Sequence, residues 1–143
     1  MGIQSTLAII KPNCFCQSTE ILSDILSLDD ITVSSKYSCT LTLDEIGTLY
    51  KSYTSQSWFS KYVKLMMSNS VMLIVLEGDD VITRWRNAIG PTDPNEARKI
   101  AHDTLRSKYG GDTIEKNGFH GSDSIQSSKI EIDWMKSVIA SRS

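Results

Sequence analysis

The run Val71-Met72-Leu73-Ile74-Val75-Leu76 is apolar at every position. It is too short to be an independent helix, and Glu77-Gly78 ends it, so it reads as a buried strand. Thr6-Leu7-Ala8-Ile9-Ile10 is a second near-continuous apolar run. Lys11-Pro12 ends that run, because proline cannot donate to a strand ladder. Strands of this kind need helices to cover them, and the remaining sequence supplies helical periodicity. Ser18 is expected to cap a helix with Ile21, Leu22, Ile25 and Leu28 on one stripe. Thr42-x-x-Glu45 is a capping box ahead of Ile46, Leu49, Tyr50 and Tyr53. A further short helix from about Gln56 to Met67 carries Phe59, Val63 and Met66 on one face. Asp79 and Asp80 favour a helix N-terminus through the macrodipole. Val81, Trp85 and Ile89 then repeat at i, i+4 and i+8 until Gly90-Pro91 breaks the pattern.

Two weaker strands complete the reading. Ile31 to Tyr37 is expected to place Ile31, Val33 and Ser35 on one face, and Thr113 to Phe119 is expected to supply the last strand. A C-terminal helix is expected to start at Ser122, with Ile125, Ile132, Met135 and Ile139 on one side. The coarse order β-α-β-α-α-β-α-β-α fits a ferredoxin-like α/β (α+β) sandwich, a small, mostly antiparallel four-stranded sheet covered by helices. The chain has 143 residues, which reads as one domain over residues 1–143. Between Pro91 and Gly111 lies a long connection rich in basic groups, and a connection this long inside a domain is usually functional.

Composition narrows the function classes. Hydrophobic residues make up 40% and charged residues 22%, a soluble globular balance. The formal net charge is -2, so no basic excess argues for nucleic acid. No apolar run approaches the ~20 residues of a membrane helix, and the N-terminal residues do not read as a secretory signal. Cys14-x-Cys16 lacks the two-residue spacer of a redox or zinc pair. The odd count of three cysteines argues against a disulfide framework and for a reducing, cytoplasmic setting.

The chemistry concentrates at Asn117-Gly118-Phe119-His120-Gly121-Ser122-Asp123-Ser124. One of only two histidines stands where the backbone leaves a strand. Gly121 allows a sharp turn, and Ser122 is suited to capping the next helix. Histidine can carry a group covalently and so split one transfer into two easier steps; an exposed loop histidine is the plainer alternative. No carboxylate cluster suggests a dedicated cation cage.

The run NGFHGSDS resembles the N-x-x-H-G-S-D-S signature of nucleoside diphosphate kinases. IIKPN, VLEGDDVI, IGPTDP and TLR follow the same family's order along the chain. The resemblance implies the ferredoxin-like fold and a ping-pong reaction. In that reaction the terminal phosphate of a nucleoside triphosphate, ATP as donor, passes through His120 to a nucleoside diphosphate, maintaining triphosphate pools. It implies Glu131 as the carboxylate orienting His120, Ser122 as a nearby hydrogen-bonding group and Tyr50 as a tyrosine beside the ring. Lys11, Arg86, Arg106 and Thr92 are implied at the phosphates, and Asn117 with Lys11 at the ribose. The base is implied between Trp58 and Ile114, and stacking of that kind tolerates every base. Mg2+ is expected to arrive with the nucleotide. The expected partners are nucleoside di- and triphosphates and further copies of the chain in a homo-oligomer, with Trp134 and Met135 needing cover near the C-terminus.

The sequence departs from the family pattern in three places. The family's K-P-D is Lys11-Pro12-Asn13 here, and the following glycine and R-G are replaced by Cys14 to Thr19. A usual arginine is Gln56. The loop before Thr104-Leu105-Arg106 is longer than in common hexameric members and resembles a divergent branch. These changes keep a second reading open, a nucleotide-binding or interaction module with weakened or lost catalysis. A ferredoxin-like single-strand nucleic-acid binder is a third class, disfavoured by the charge.

Overall fold

The computed structural model describes residues 2–142. Its centre is a four-stranded sheet in the order β2-β3-β1-β4. The strands are β1 (Ile3–Ile10), β2 (Ile31–Cys39), β3 (Val71–Asp79) and β4 (Phe119–Gly121). All three pairings are antiparallel. The helices are α1 (Ser18–Leu26), α2 (Leu43–Leu49), α3 (Phe59–Met67), α4 (Val81–Ile89), α5 (Pro94–Ile100), α6 (Leu105–Tyr109) and α7 (Ile125–Ala140). This is the expected ferredoxin-like sandwich, with two added short helices in the long connection.

Alternation along β1 divides the core into two layers. Leu7 and Ile9 join side chains of α2, α3 and α7, among them Ile46, Val63, Met66 and Met135. Ala8 and Ile10 join Ile21 and Ile25 of α1, and Val81, Trp85 and Ile89 of α4. The expected face of α4 is therefore buried. The capping box forms as the sequence requires, with Glu45 N–H donating to Thr42 Oγ1 at 3.2 Å and Thr42 N–H to Glu45 Oε1 at 2.9 Å.

Several expectations are corrected. Ser18 is the first helical residue and makes no cap; Gln17 precedes it. A β-bulge between Val33 and Ser35 reverses the alternation of β2. Val33 therefore pairs with Leu76 and Ser35 with Val75, on opposite faces. The last strand is three residues, not Thr113 to Phe119. Residues Ile114–Lys116 form a single 3-10 turn, and Gly118 takes a φ of 87° that no strand continues through. Ser124, not Ser122, caps α7, accepting from Ser127 N–H at 3.0 Å. Ile125 is exposed, because the helix begins with that residue facing away from the sheet. Trp134 and Met135 are already covered within the chain; α7 lies on the sheet, and Trp134 Nε1 donates to Glu45 O at 3.0 Å.

The long connection is ordered by its own polar side chains. Arg98 donates to Ser107 O at 3.2 Å, to Gly111 O at 3.1 Å and to Gly110 O. One guanidinium thus satisfies backbone carbonyls of a segment with no strand partner.

Near the C-terminus Arg142 grips Glu45, with Nη2 2.8 Å from Oε1 and Nη1 also paired to Oε2, and reaches Thr40 O at 2.8 Å. This hydrogen-bonded arginine, with Thr42, holds the Glu45 carboxyl below its ordinary range. A lowered folded-state pKa stabilises the fold above the unfolded carboxylate pKa, and that contribution disappears as pH falls through the folded value. The melting temperature is therefore expected to fall more steeply below pH about 4.3 in the native chain than in Glu45→Gln. Parallel melting curves in the two proteins between pH 5 and 2 (roughly the window of carboxylate titration) would refute this.

Candidate functional site

His120 enters the site from β4, paired in register with Ile9. Alternation puts Phe119 into the core and turns His120 to the other face, where α7 passes. One and a half turns into that helix, Glu131 meets the ring: His120 Nε2 lies 2.8 Å from Glu131 Oε1. The same oxygen accepts from Ser122 Oγ at 2.8 Å, and Ser122 Oγ accepts from Leu7 N–H at 3.1 Å. Ser122 is fully buried. Its hydroxyl therefore links the β1 backbone to the carboxylate that holds the histidine. An ionised carboxylate only accepts, so Nε2 carries the proton and Nδ1 keeps its lone pair in the neutral ring. The strand is anchored from the opposite layer, where Trp85 Nε1 donates to His120 O at 3.0 Å.

Lys11 directly follows β1 and is only 6% exposed. Its ammonium donates to Asn117 Oδ1 at 3.1 Å. Arg106 stands on α6, 8% exposed. Its Nη1 donates to Gly90 O at 2.7 Å and its Nη2 to Phe119 O at 2.8 Å, while its Nε is buried without a partner among the described residues. Burial first, and the neighbouring Arg86 second, bring its pKa down to about 10, which leaves it cationic at neutral pH. Tyr50 meets the histidine edge-on, with ring centroids 6.0 Å apart. Its hydroxyl is buried with no hydrogen-bond partner that meets normal geometry among the described residues, and burial, then the neighbouring Tyr62, drives its pKa well up. Tyr50 is therefore a neutral phenol.

A cavity of about 1240 Å³ brings Lys11, Tyr50, Arg86, Thr92, Arg106, Asn117, His120 and Glu131 to one set of walls. Three expected residues are not on those walls. Ser122 is buried behind Glu131, while Trp58 and Ile114 are 41% and 54% exposed and stand outside the cavity lining. The sequence reading missed Tyr53, Asn87 and Asp123, which do line it. Asp123 is held below its ordinary range, first by a hydrogen bond from Ser127 and also by Arg86. Its place in the H-G-S-D-S run was the only signal for it. No three His, Cys, Asp or Glu side chains converge as a metal cage among the described residues.

The replaced block after Lys11 has its own packing. Residues Pro12–Gln17 form a 3-10 run. Cys14 Sγ donates to Tyr109 O at 3.1 Å, and burial pushes its thiol up to about 11, so the proton it donates is present. Asn13 Nδ2 donates to Lys116 O at 2.7 Å. Lys11 N–H donates to Gly118 O at 2.8 Å. The turn that presents Lys11 is thus tied directly to the turn that presents Asn117 and His120.

Comparison with known proteins agrees with this geometry. The family model for nucleoside diphosphate kinase matches residues 4–137. A nucleoside diphosphate kinase of Aquifex aeolicus is 34% identical over 92% of this chain and 93% of its own. One from Chlamydia caviae is 33% identical over 96% and 95%. The crystal structure of the Aquifex aeolicus enzyme superposes with a TM-score of 0.88 at 33% identity, covering 94% of this chain and 95% of the other. The Encephalitozoon cuniculi enzyme does so at 0.83 and 27% identity, over 92% and 87%. With the motif order, the sheet order and the paired histidine and glutamate in agreement, the chain belongs to the nucleoside diphosphate kinase family.

Proposed function

We propose that this protein moves the terminal phosphate of a nucleoside triphosphate to a nucleoside diphosphate through a phosphohistidine on His120. The observation that carries the reading is the Nε2-to-Glu131 hydrogen bond at 2.8 Å, which leaves Nδ1 as the nucleophile. Nδ1 attacks the γ-phosphorus; the N–P bond forms as the bond to the bridging oxygen breaks, and the diphosphate departs with that oxygen. The imidazolium that forms keeps its Nε2 proton against Glu131, and Ser122 shares the charge on that carboxylate. A second diphosphate then attacks the phosphorus with a terminal oxygen and restores the neutral ring.

Lys11, Arg86 and Arg106 offset the charge of the phosphoryl oxygens, which is the main task in phosphoryl transfer. The neutral Tyr50 phenol and the Thr92 hydroxyl add uncharged donors. Asn117 and Lys11 hold the ribose, and the base lies toward the uncovered rim between Trp58 and Ile114. Mg2+ would arrive with the nucleotide substrate, where it would offset part of the phosphate charge alongside Lys11, Arg86 and Arg106. The chain works as a homo-oligomer in the cytoplasm. Free Cys14, Cys16 and Cys39 support a reducing compartment, and no described helix is long and apolar enough to cross a membrane.

The deciding experiment is incubation with γ-labelled ATP followed by isolation of intact protein. Acid-labile, base-stable label that discharges to added nucleoside diphosphate is the expected result. Nucleotide binding without label would instead favour the weakened-module reading.

A further inference from the structure

Tyr62 takes no part in the reading above, and its spacing with Phe59, Val63 and Met66 makes it look like core. It is 7% exposed and packs in the core layer of α2, α3 and α7, yet its ring also borders Lys11 and Tyr50 of the site. The Lys11 ammonium lies 5.1 Å from the centre of its ring. Tyr50 meets it edge-on at 5.2 Å, and Trp58 at 6.0 Å.

Lys11 poses a physical problem. A buried ammonium needs compensation, yet no carboxylate lies within ion-pair distance of it among the described residues. Its hydrogen bond is to a neutral amide oxygen, Asn117 Oδ1 at 3.1 Å. The remaining compensation is the negative face of an aromatic ring. A carboxylate at that place would fix the lysine more strongly, but it would also compete with every phosphate that approached. A ring face stabilises the charge without neutralising it.

We propose that Tyr62 is a positioning residue for phosphoryl transfer, its ring face holding the Lys11 ammonium in place while leaving that charge unpaired for phosphate oxygens. This rests on the phosphotransfer reading. The hydroxyl of Tyr62 is not needed for the role; the electron-rich ring is.

The test compares the single-turnover rate of His120 phosphorylation by ATP in the native protein, Tyr62→Phe, Tyr62→Leu and a variant with pentafluorophenylalanine at 62. The last keeps the ring shape and reverses its quadrupole, so it remains informative if the leucine variant fails to fold. Phenylalanine is expected to stay within about threefold of native, while leucine and the fluorinated ring fall about tenfold, the scale of a partly desolvated cation–π contact. Rates within about twofold across the series, or phenylalanine as slow as leucine, would overturn the proposal. A fluorinated variant as fast as phenylalanine would do the same. If the native protein takes no label, the functional reading fails, and NMR still tests the contact: the Lys11 ε-protons are expected upfield by ring current and to return in Tyr62→Leu. An undisplaced native signal overturns the proposal.

Discussion

His120→Gln is expected to take no acid-labile label and to lose turnover by at least about 10⁴-fold, because no other group can carry the phosphoryl between two substrates. Glutamine keeps a polar side chain on β4 and leaves the strand's anchors intact. Those anchors are backbone groups, the Trp85 bond to His120 O and the pairing with Ile9. The variant is therefore expected to melt close to the native temperature and to keep binding nucleotide, since Lys11, Arg86, Arg106 and Asn117 are untouched. That contrast makes the experiment decisive. Lost activity with retained binding and fold isolates the imidazole as carrier. Label persisting in the variant would place the nucleophile elsewhere, and no geometry around Glu131 would then matter.

What the sequence made legible follows from how many residues share each signal. β3 and β1 were readable because whole runs are buried, and α4 because Val81, Trp85 and Ile89 repeat on one face. The histidine and the cations expected beside it were gathered by the ordered family blocks, and eight of the expected residues line the same cavity. Elements set by a single long-range contact were not. β4 is three residues long and exists by its pairing to Ala8, Ile9 and Ile10. α5 and α6 are short and depend on Arg98 reaching carbonyls at 107, 110 and 111. Ser122 and Ser124 are equivalent capping candidates in sequence; only the buried partners Leu7 N–H and Glu131 separate them. Tyr62 was hidden because a ring facing Lys11 and a ring facing the core occupy the same helical stripe.

Arg106→Lys, a change that preserves charge, is expected to harm both stability and turnover, and the two losses have separate causes. The native guanidinium bridges Gly90 O at the end of α4 and Phe119 O beside the histidine, at 2.7 and 2.8 Å. An ammonium is a point donor and cannot span both. One buried carbonyl is left short, a cost of about 2 kcal/mol, or roughly 4–8 °C in melting temperature. The carbonyl of Phe119 immediately precedes His120, so slack there displaces the nucleophile as well. On the phosphotransfer reading, loss of the second guanidinium nitrogen and of Nε, a buried donor without a partner among the described residues, would also remove donors available to the transferring phosphoryl. Removing a donor of that kind lowers turnover by about 10²–10³-fold. Rates measured well below both melting transitions separate the two effects, because the stability loss then leaves the folded fraction unchanged. A defect that persists there assigns Arg106 to the reaction, whereas full turnover in the folded variant would make it only the brace between α4 and β4.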